Sequence, residues 1–140
     1  MIAGPLALAF AAALAGAGLY CNWVEQPSRL TLDDSALLNE WVPSDQKGFA
    51  LLAGLALLSA VMGLSAYFSS GDTGFAIGAI FVILTWPYAY FIMAPLNNQI
   101  LTLRPRDVGA ARILVRQWGV YEWGQSAIAL VATGIFLWAL

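Results

Sequence analysis

Residues 48–95 read GFALLAGLALLSAVMGLSAYF–SSGDT–GFAIGAIFVILTWPYAYFIMAP, two uncharged apolar runs joined by five small or polar residues. Each run is close to the roughly 20 residues that a helix needs to cross a hydrocarbon core of about 30 Å. The short connection predicts that the two helices form an antiparallel hairpin. Membrane β-strands are excluded, since they are about 10 residues long and alternate in polarity.

Two further apolar runs lie outward from this hairpin, at residues 2–24 and 117–140. Across the 140 residues, 61% are hydrophobic and 10% are charged, whereas soluble domains have about 25% charged residues. The sequence therefore predicts an all-α integral membrane protein. We expect one transmembrane domain, residues 1–140, folded as a four-helix antiparallel bundle with spans near 2–24, 48–68, 74–95 and 117–140.

The two longer connections carry most of the charge. In the first, residues 25–47, Asp33 or Asp34 is a good helix cap and Leu37, Leu38 and Trp41 share one face. This pattern predicts a short interfacial helix ended by Pro43; the alternative is an ordered extended loop. In the other connection, Pro105 ends one element and Asp107 is a good cap, so the fourth helix is expected to begin near Val108 and stand out of the bilayer.

Basic residues indicate the orientation in the membrane. All six Lys and Arg residues lie in the first and third connections, which an even number of spans places on one side. The positive-inside rule assigns both loops to the cytoplasm. We expect a multi-pass protein of the cell inner membrane.

Composition also excludes several function classes. The net charge is −2, and a nucleic-acid partner would require a basic surface. The chain has no histidine and one cysteine, Cys21, so an internal disulfide is impossible and the sequence predicts no metal site and no cofactor.

Polar residues inside the apolar runs are the candidate site. Trp118, Glu122 and Gln125 fall on one face of the fourth helix. A glutamate one turn inside the membrane is costly, so Glu122 is expected to face the bundle. Polar groups end the first and third helices at the same level, and aromatic residues lie deeper on the third helix. The candidates for ligand binding are Asn22, Glu25, Arg29, Trp86, Tyr88, Asn97, Asn98 and Trp118.

Two interpretations of this cluster stay open. In the first, it forms a pocket, polar at its mouth and aromatic within, for a flat lipophilic molecule with a polar head. In the second, it is an interhelical hydrogen-bond network with an ordinary aromatic belt.

Short motifs along the chain resemble those of the anthrone oxygenase-like family of small four-helix membrane proteins. In chain order the motifs are Gly18-Leu19-Tyr20, Val24-Glu25-Gln26-Pro27-Ser28-Arg29-Leu30, Trp86-Pro87-Tyr88, Pro95-Leu96-Asn97-Asn98, Trp118-Gly119 and Phe136-Leu137-Trp138-Ala139-Leu140. The resemblance implies a membrane-embedded site for a polycyclic or quinone-like ligand. It also implies oxidation of an anthrone to the quinone by dioxygen, without metal or flavin.

The chain departs from the family pattern on the fourth helix. Where the family usually has His or Asn followed three residues later by Arg, this sequence has Glu122 and Gln125. Glu122 can serve as a base, but Gln125 cannot supply the positive charge that stabilises an oxyanion. Two functions therefore compete: a cofactor-independent oxygenase or related binder with tentative catalytic residues Glu122 and Gln125, and a non-catalytic subunit that packs against membrane-protein partners or a second copy of itself.

Overall fold

The computed structural model describes residues 2–140 and consists of four long helices. They are α1 (Ala3–Arg29), α2 (Asp34–Ser70), α3 (Thr73–Leu101) and α4 (Pro105–Ala139), and each is long and apolar enough to cross a membrane. No strand occurs within residues 2–140. The prediction of an all-α membrane bundle with four spans is confirmed.

The helices pack as a four-membered ring in chain order. α1 contacts α2 and α4, and α3 contacts the same two helices on the other side. The predicted hairpin turn between α2 and α3 is present. Gly71 adopts φ 76°, a left-handed conformation that costs glycine little, and the Asp72 carboxylate accepts a 2.8 Å hydrogen bond from the Gly74 amide.

The prediction of a separate interfacial helix in the first loop is wrong, and so is the alternative prediction of an extended loop. Asp33 caps a helix as expected, accepting a 2.8 Å hydrogen bond from the Ala36 amide, but that helix is α2 itself, which continues through Pro43 to Ser70. An internal proline costs about 3 kcal/mol because one backbone bond is lost. Here Leu37 and Trp41 are fully buried on the opposite face, while Pro43 itself is exposed, so burial offsets the cost and water can solvate the freed carbonyl.

Helices α1 and α3 also continue beyond their predicted ends, because each contains a wide π-helical turn ahead of a proline. These turns are Cys21–Glu25, followed by Pro27, and Ala89–Met93, followed by Pro95. A proline clashes with the carbonyl four residues earlier, and a wider turn relieves that clash without ending the helix. Both connections on this side of the bundle are consequently short, at residues 30–33 and 102–104.

The fourth helix begins slightly earlier than predicted. Its first turns, Pro105–Ala110, form a 3₁₀ helix, and the α-helix proper runs over Ala111–Ala139. Asp107 is therefore inside the first turn and does not cap the helix. Arg112 reaches back from α4 and pairs with Asp34 at 3.2 Å, which closes the bundle at this end.

Two apolar clusters form the core, one at each end of the bundle. The cluster near the α2–α3 turn packs small residues around Phe136, which is fully buried. The cluster at the opposite end is built around Trp41 and Trp118, whose rings meet edge to face at 5.9 Å. The residues between these clusters surround a cavity.

Candidate functional site

A partly open cavity of about 290 Å³ lies between the helices and is bordered by all four of them. Its walls are mostly apolar, and both π-helical turns contribute to them, through Cys21 and Glu25 on α1 and through Ala89 and Met93 on α3. Such turns often occur at functional sites because they change the direction in which side chains project. The volume is just below the range of about 300–1,000 Å³ for small-molecule sites.

The polar groups of this cavity lie toward the end that carries the basic residues. Five residues predicted for the site line it together: Glu25, Asn97, Trp118, Glu122 and Gln125. Sequence reasoning missed two more polar residues on α2, Ser44 and Asp45.

Three of the lining residues have a buried polar atom with no hydrogen-bond partner among residues 2–140. These atoms are Oδ1 of Asn97, Nε1 of Trp118 and Oε1 of Glu122. A buried polar atom without a partner costs about 1–3 kcal/mol, so native structures contain few of them. These two acceptors and one donor belong to residues that surround one mostly apolar cavity, so a ligand with oxygen substituents would lie next to them.

Glu122 faces the bundle as predicted, with 3% of its surface exposed. It lies one helical turn beyond Trp118 on the same face of α4, because residues four apart on a helix are neighbours. Within residues 2–140, none of the asparagines expected beside it donates a hydrogen bond to its buried Oε1. The amide of Asn97 donates to both carboxylate oxygens of Asp45, at 3.2 and 3.3 Å, which leaves its own carbonyl oxygen free.

Asn22 and Gln26 lie outside the cavity lining and join α1 to α4 through hydrogen bonds. The Asn22 amide donates to the Gly119 carbonyl at 3.1 Å, and the Gln26 amide donates to the Val115 carbonyl at 2.7 Å. Gly119 permits this approach, since a methyl group at its position would lie 2.6 Å from the Gln26 amide nitrogen. Asn22, predicted to bind a ligand, therefore joins two helices next to the cavity and does not line the cavity itself.

Arg29 is buried in an ion-pair cluster behind the cavity wall. It pairs with Glu25 on α1 and with Glu40 on α2, the latter at 2.8 Å, and donates to the Ser44 hydroxyl at 3.0 Å. Its guanidinium also lies 5.3 Å from the centre of the Trp118 ring, a cation–π distance. This cluster fixes the end of α1 against α2 and holds Trp118 in place.

The remaining three residues predicted for the site, Asn98, Tyr88 and Trp86, lie outside this cavity. Asn98 is exposed and outside the cavity. Tyr88 packs against α4, where its hydroxyl donates to the Tyr121 carbonyl at 2.6 Å. Trp86 lies on a second cavity of about 300 Å³, which we call the side groove. Its lining residues are Phe49, Ala53, Thr85, Trp86, Ala89, Tyr90, Ala94 and Gln125.

A pattern in the sequence could have located Asp45. The α2 residues Leu37, Trp41, Asp45, Gly48, Leu52 and Ala56 are spaced by three or four and form one helical face, and the structure turns that face inward. The predicted second helix began at Gly48, so the part of this face that precedes Gly48 was not recognised as helical. No group of three or more Cys, Asp or Glu side chains suited to holding a metal ion is found within residues 2–140.

Comparison with known proteins gives one match. A family model described as anthrone oxygenase matches residues 41–135, more than half of the chain, from Trp41 on α2 to Ile135 on α4. The matched segment includes Asn97, Trp118 and Glu122. No curated protein and no solved structure gives a significant match.

Proposed function

This chain belongs to the anthrone oxygenase family, and from that premise we propose that its cavity binds a flat lipophilic aromatic or quinone-like molecule. The observation that carries the proposal is the set of three unpartnered polar atoms, on Asn97, Trp118 and Glu122, in residues that line a mostly apolar cavity. A ring with oxygen substituents would fill the space between the apolar walls and bring hydrogen-bonding groups next to these three residues. Ligand sites commonly combine apolar walls with a few convergent polar groups.

Oxidation of the bound ring is the second part of the proposal, and the position of Glu122 favours it. The carboxylate takes a proton from the methylene carbon of an anthrone, and the resulting carbanion is delocalised onto the ring oxygen. The indole N–H of Trp118 donates to that oxyanion, which takes the place of a positive charge. Dioxygen adds to the carbon and Glu122 returns its proton to the peroxide oxygen. Loss of the remaining hydrogen from that carbon, with cleavage of the O–O bond, then releases water and leaves the ketone.

The overall reaction balances as anthrone plus dioxygen to anthraquinone plus water. The methylene carbon loses two hydrogens and gains one oxygen, while dioxygen accepts four electrons. No other oxidant is required. The chain would therefore supply a base, a hydrogen-bond donor and a pocket that orients the ring.

A binding experiment with matched variants tests the first part. Purified protein in lipid nanodiscs is titrated with anthraquinone, and the dissociation constant is compared for the native chain, Asn97→Ala and Asn98→Ala. We expect Asn97→Ala to raise the dissociation constant about five- to tenfold, because one polar contact is lost. Asn98→Ala should match the native chain, since Asn98 is exposed and outside the cavity. Absence of binding by the native chain would instead favour the non-catalytic membrane subunit that associates with other proteins or with itself.

The orientation is also part of the proposal. All basic residues lie at the end of the bundle formed by the α1–α2 and α3–α4 connections. The positive-inside rule then places this end, with the polar part of the cavity, on the cytoplasmic side of the cell inner membrane.

A further inference from the structure

The side groove adjoins the first cavity. Phe49, Ala89, Ala94 and Gln125 border both spaces. The groove runs between α2 and α3, and its outer rim is formed by side chains with large exposed surfaces. Phe49 is 57% exposed and Tyr90 is 72% exposed.

The two spaces overlap in depth between Ala89 and Ala94, but the far end of the side groove and the polar end of the first cavity lie at different levels. Trp86 is near the middle of α3, and Asn97 is eleven residues further toward the polar end. At 1.5 Å per residue the two levels are roughly 16 Å apart. The polar end of the cavity therefore lies near the membrane surface, whereas the side groove opens at the depth of the hydrocarbon core.

Two polar groups of the groove are satisfied within the protein. The Trp86 indole donates across the groove to the Ala53 carbonyl at 3.2 Å, and the Thr85 hydroxyl donates to the Val82 carbonyl at 2.8 Å. The first cavity, in contrast, has unpartnered polar atoms. A ligand segment beside Trp86 and Thr85 consequently needs no hydrogen-bonding groups, and at this depth the surrounding medium is hydrocarbon.

We infer that the ligand of this site carries a long aliphatic or isoprenoid chain, with its oxygenated ring in the first cavity and its chain in the side groove, leading into the bilayer. This inference rests on the proposed function and adds the class of ligand, a flat aromatic or quinone-like ring that bears a lipid tail. Such a molecule dissolves in the membrane and enters sideways between α2 and α3.

Two probes with the same ring test it: a naphthoquinone bearing a methyl group, and one bearing a decyl chain that ends in a diazirine. The tailed probe is photolysed with the native protein in nanodiscs, and the labelled residues are identified by mass spectrometry. We expect label on residues of the side groove, displaced by excess methyl probe that competes for the ring site. Label spread over other lipid-facing positions would overturn the inference.

Ala53→Leu narrows the groove, and Ala50→Leu, at an exposed position of the same helix, is its control. We expect Ala53→Leu to lower groove labelling about tenfold and to change affinity for the methyl probe by less than about twofold. Ala50→Leu should change neither. If Ala53→Leu does not fold, the mapping on the native protein decides.

The outcomes separate this inference from the proposed function. If the methyl probe does not bind, the proposed function fails. If it binds but the groove is labelled without displacement by it, an acyl chain occupies the groove independently, and only the inference on the tail is overturned.

Discussion

The hydroxyl of Ser126 on α4 donates a 2.8 Å hydrogen bond to Oδ1 of Asn22 on α1, directly beside the cavity. The amide nitrogen of Asn22 donates in turn to the Gly119 carbonyl at 3.1 Å. Both ends of one side chain are thus used to join the first and last helices.

Replacing Asn22 by Leu should lower the free energy of unfolding by about 1–3 kcal/mol, because the buried groups on α4 lose their partner. Reversible unfolding in mixed micelles measures this change. Asn98→Leu, at an exposed position, should shift stability by less than about 0.5 kcal/mol. Equal effects of the two variants would show that the Asn22 contacts contribute nothing specific.

Gly78 is expected to tolerate no side chain. A methyl group at this position would lie 2.6 Å from the Phe136 ring, which is fully buried between Gly78 and Gly63. Gly78→Ala should therefore destabilise the bundle by about 1–3 kcal/mol through overpacking, as measured by unfolding in micelles.

Gly134→Ala provides the matched control for this change. No atom lies within 4 Å of the added methyl group, so stability should be unchanged or slightly higher because alanine favours a helix. Combining Gly78→Ala with Phe136→Leu should recover part of the loss. Additive losses would contradict the proposed clash.

Substitutions of Glu122 test its catalytic role separately from its effect on stability. Glu122→Gln keeps the shape of the side chain but removes its basic group, so anthrone oxidation should fall about 10²- to 10⁴-fold while binding is retained. Product formation in nanodiscs, corrected for the reaction with empty nanodiscs, measures the rate. Native turnover in this variant would remove Glu122 from the mechanism.

Glu122→Leu should stabilise the protein, whereas the same substitution of a polar residue in a structural hydrogen-bond network would destabilise it. Because Oε1 of Glu122 has no partner among residues 2–140, Leu removes a desolvation cost and should raise the free energy of unfolding by about 1 kcal/mol. A large loss of stability would instead identify Glu122 as part of a structural network.

The orientation can be checked with single cysteines at Gln46 and Ser70 in a Cys21→Ser background. Both positions are exposed, and they lie toward opposite ends of α2. We expect an impermeant maleimide to label the cysteine at position 70 in intact cells and the one at position 46 only after permeabilisation. The reverse pattern would invert the assignment.

Much of the fold could be predicted from the sequence because the length of an apolar run is a local property. The four spans and the inward position of Glu122 followed from length and helical phase alone. The continuation of α2 through Pro43 could not be predicted in this way. Whether a helix survives an internal proline depends on what its opposite face buries, and the partners of Trp41 are distant in the chain.

The candidate site, too, could be predicted only where local sequence pattern determines it. Glu25, Asn97, Trp118, Glu122 and Gln125 were expected at one level and line one cavity. Asp45 was missed because its residues were assigned to a loop. The side groove depends on the wide turn at Ala89–Met93 and on the spacing between α2 and α3, neither of which local pattern describes.

Cys21 gives the cavity a built-in chemical reporter. It is the single cysteine of the sequence, and its half-buried side chain lies on the cavity wall. Any molecule that fills the cavity will lie against this thiol and slow its alkylation by a small membrane-permeant reagent. The rate of modification of the unaltered protein can therefore measure occupancy inside native membranes, and candidate ligands can be ranked by the protection that they give.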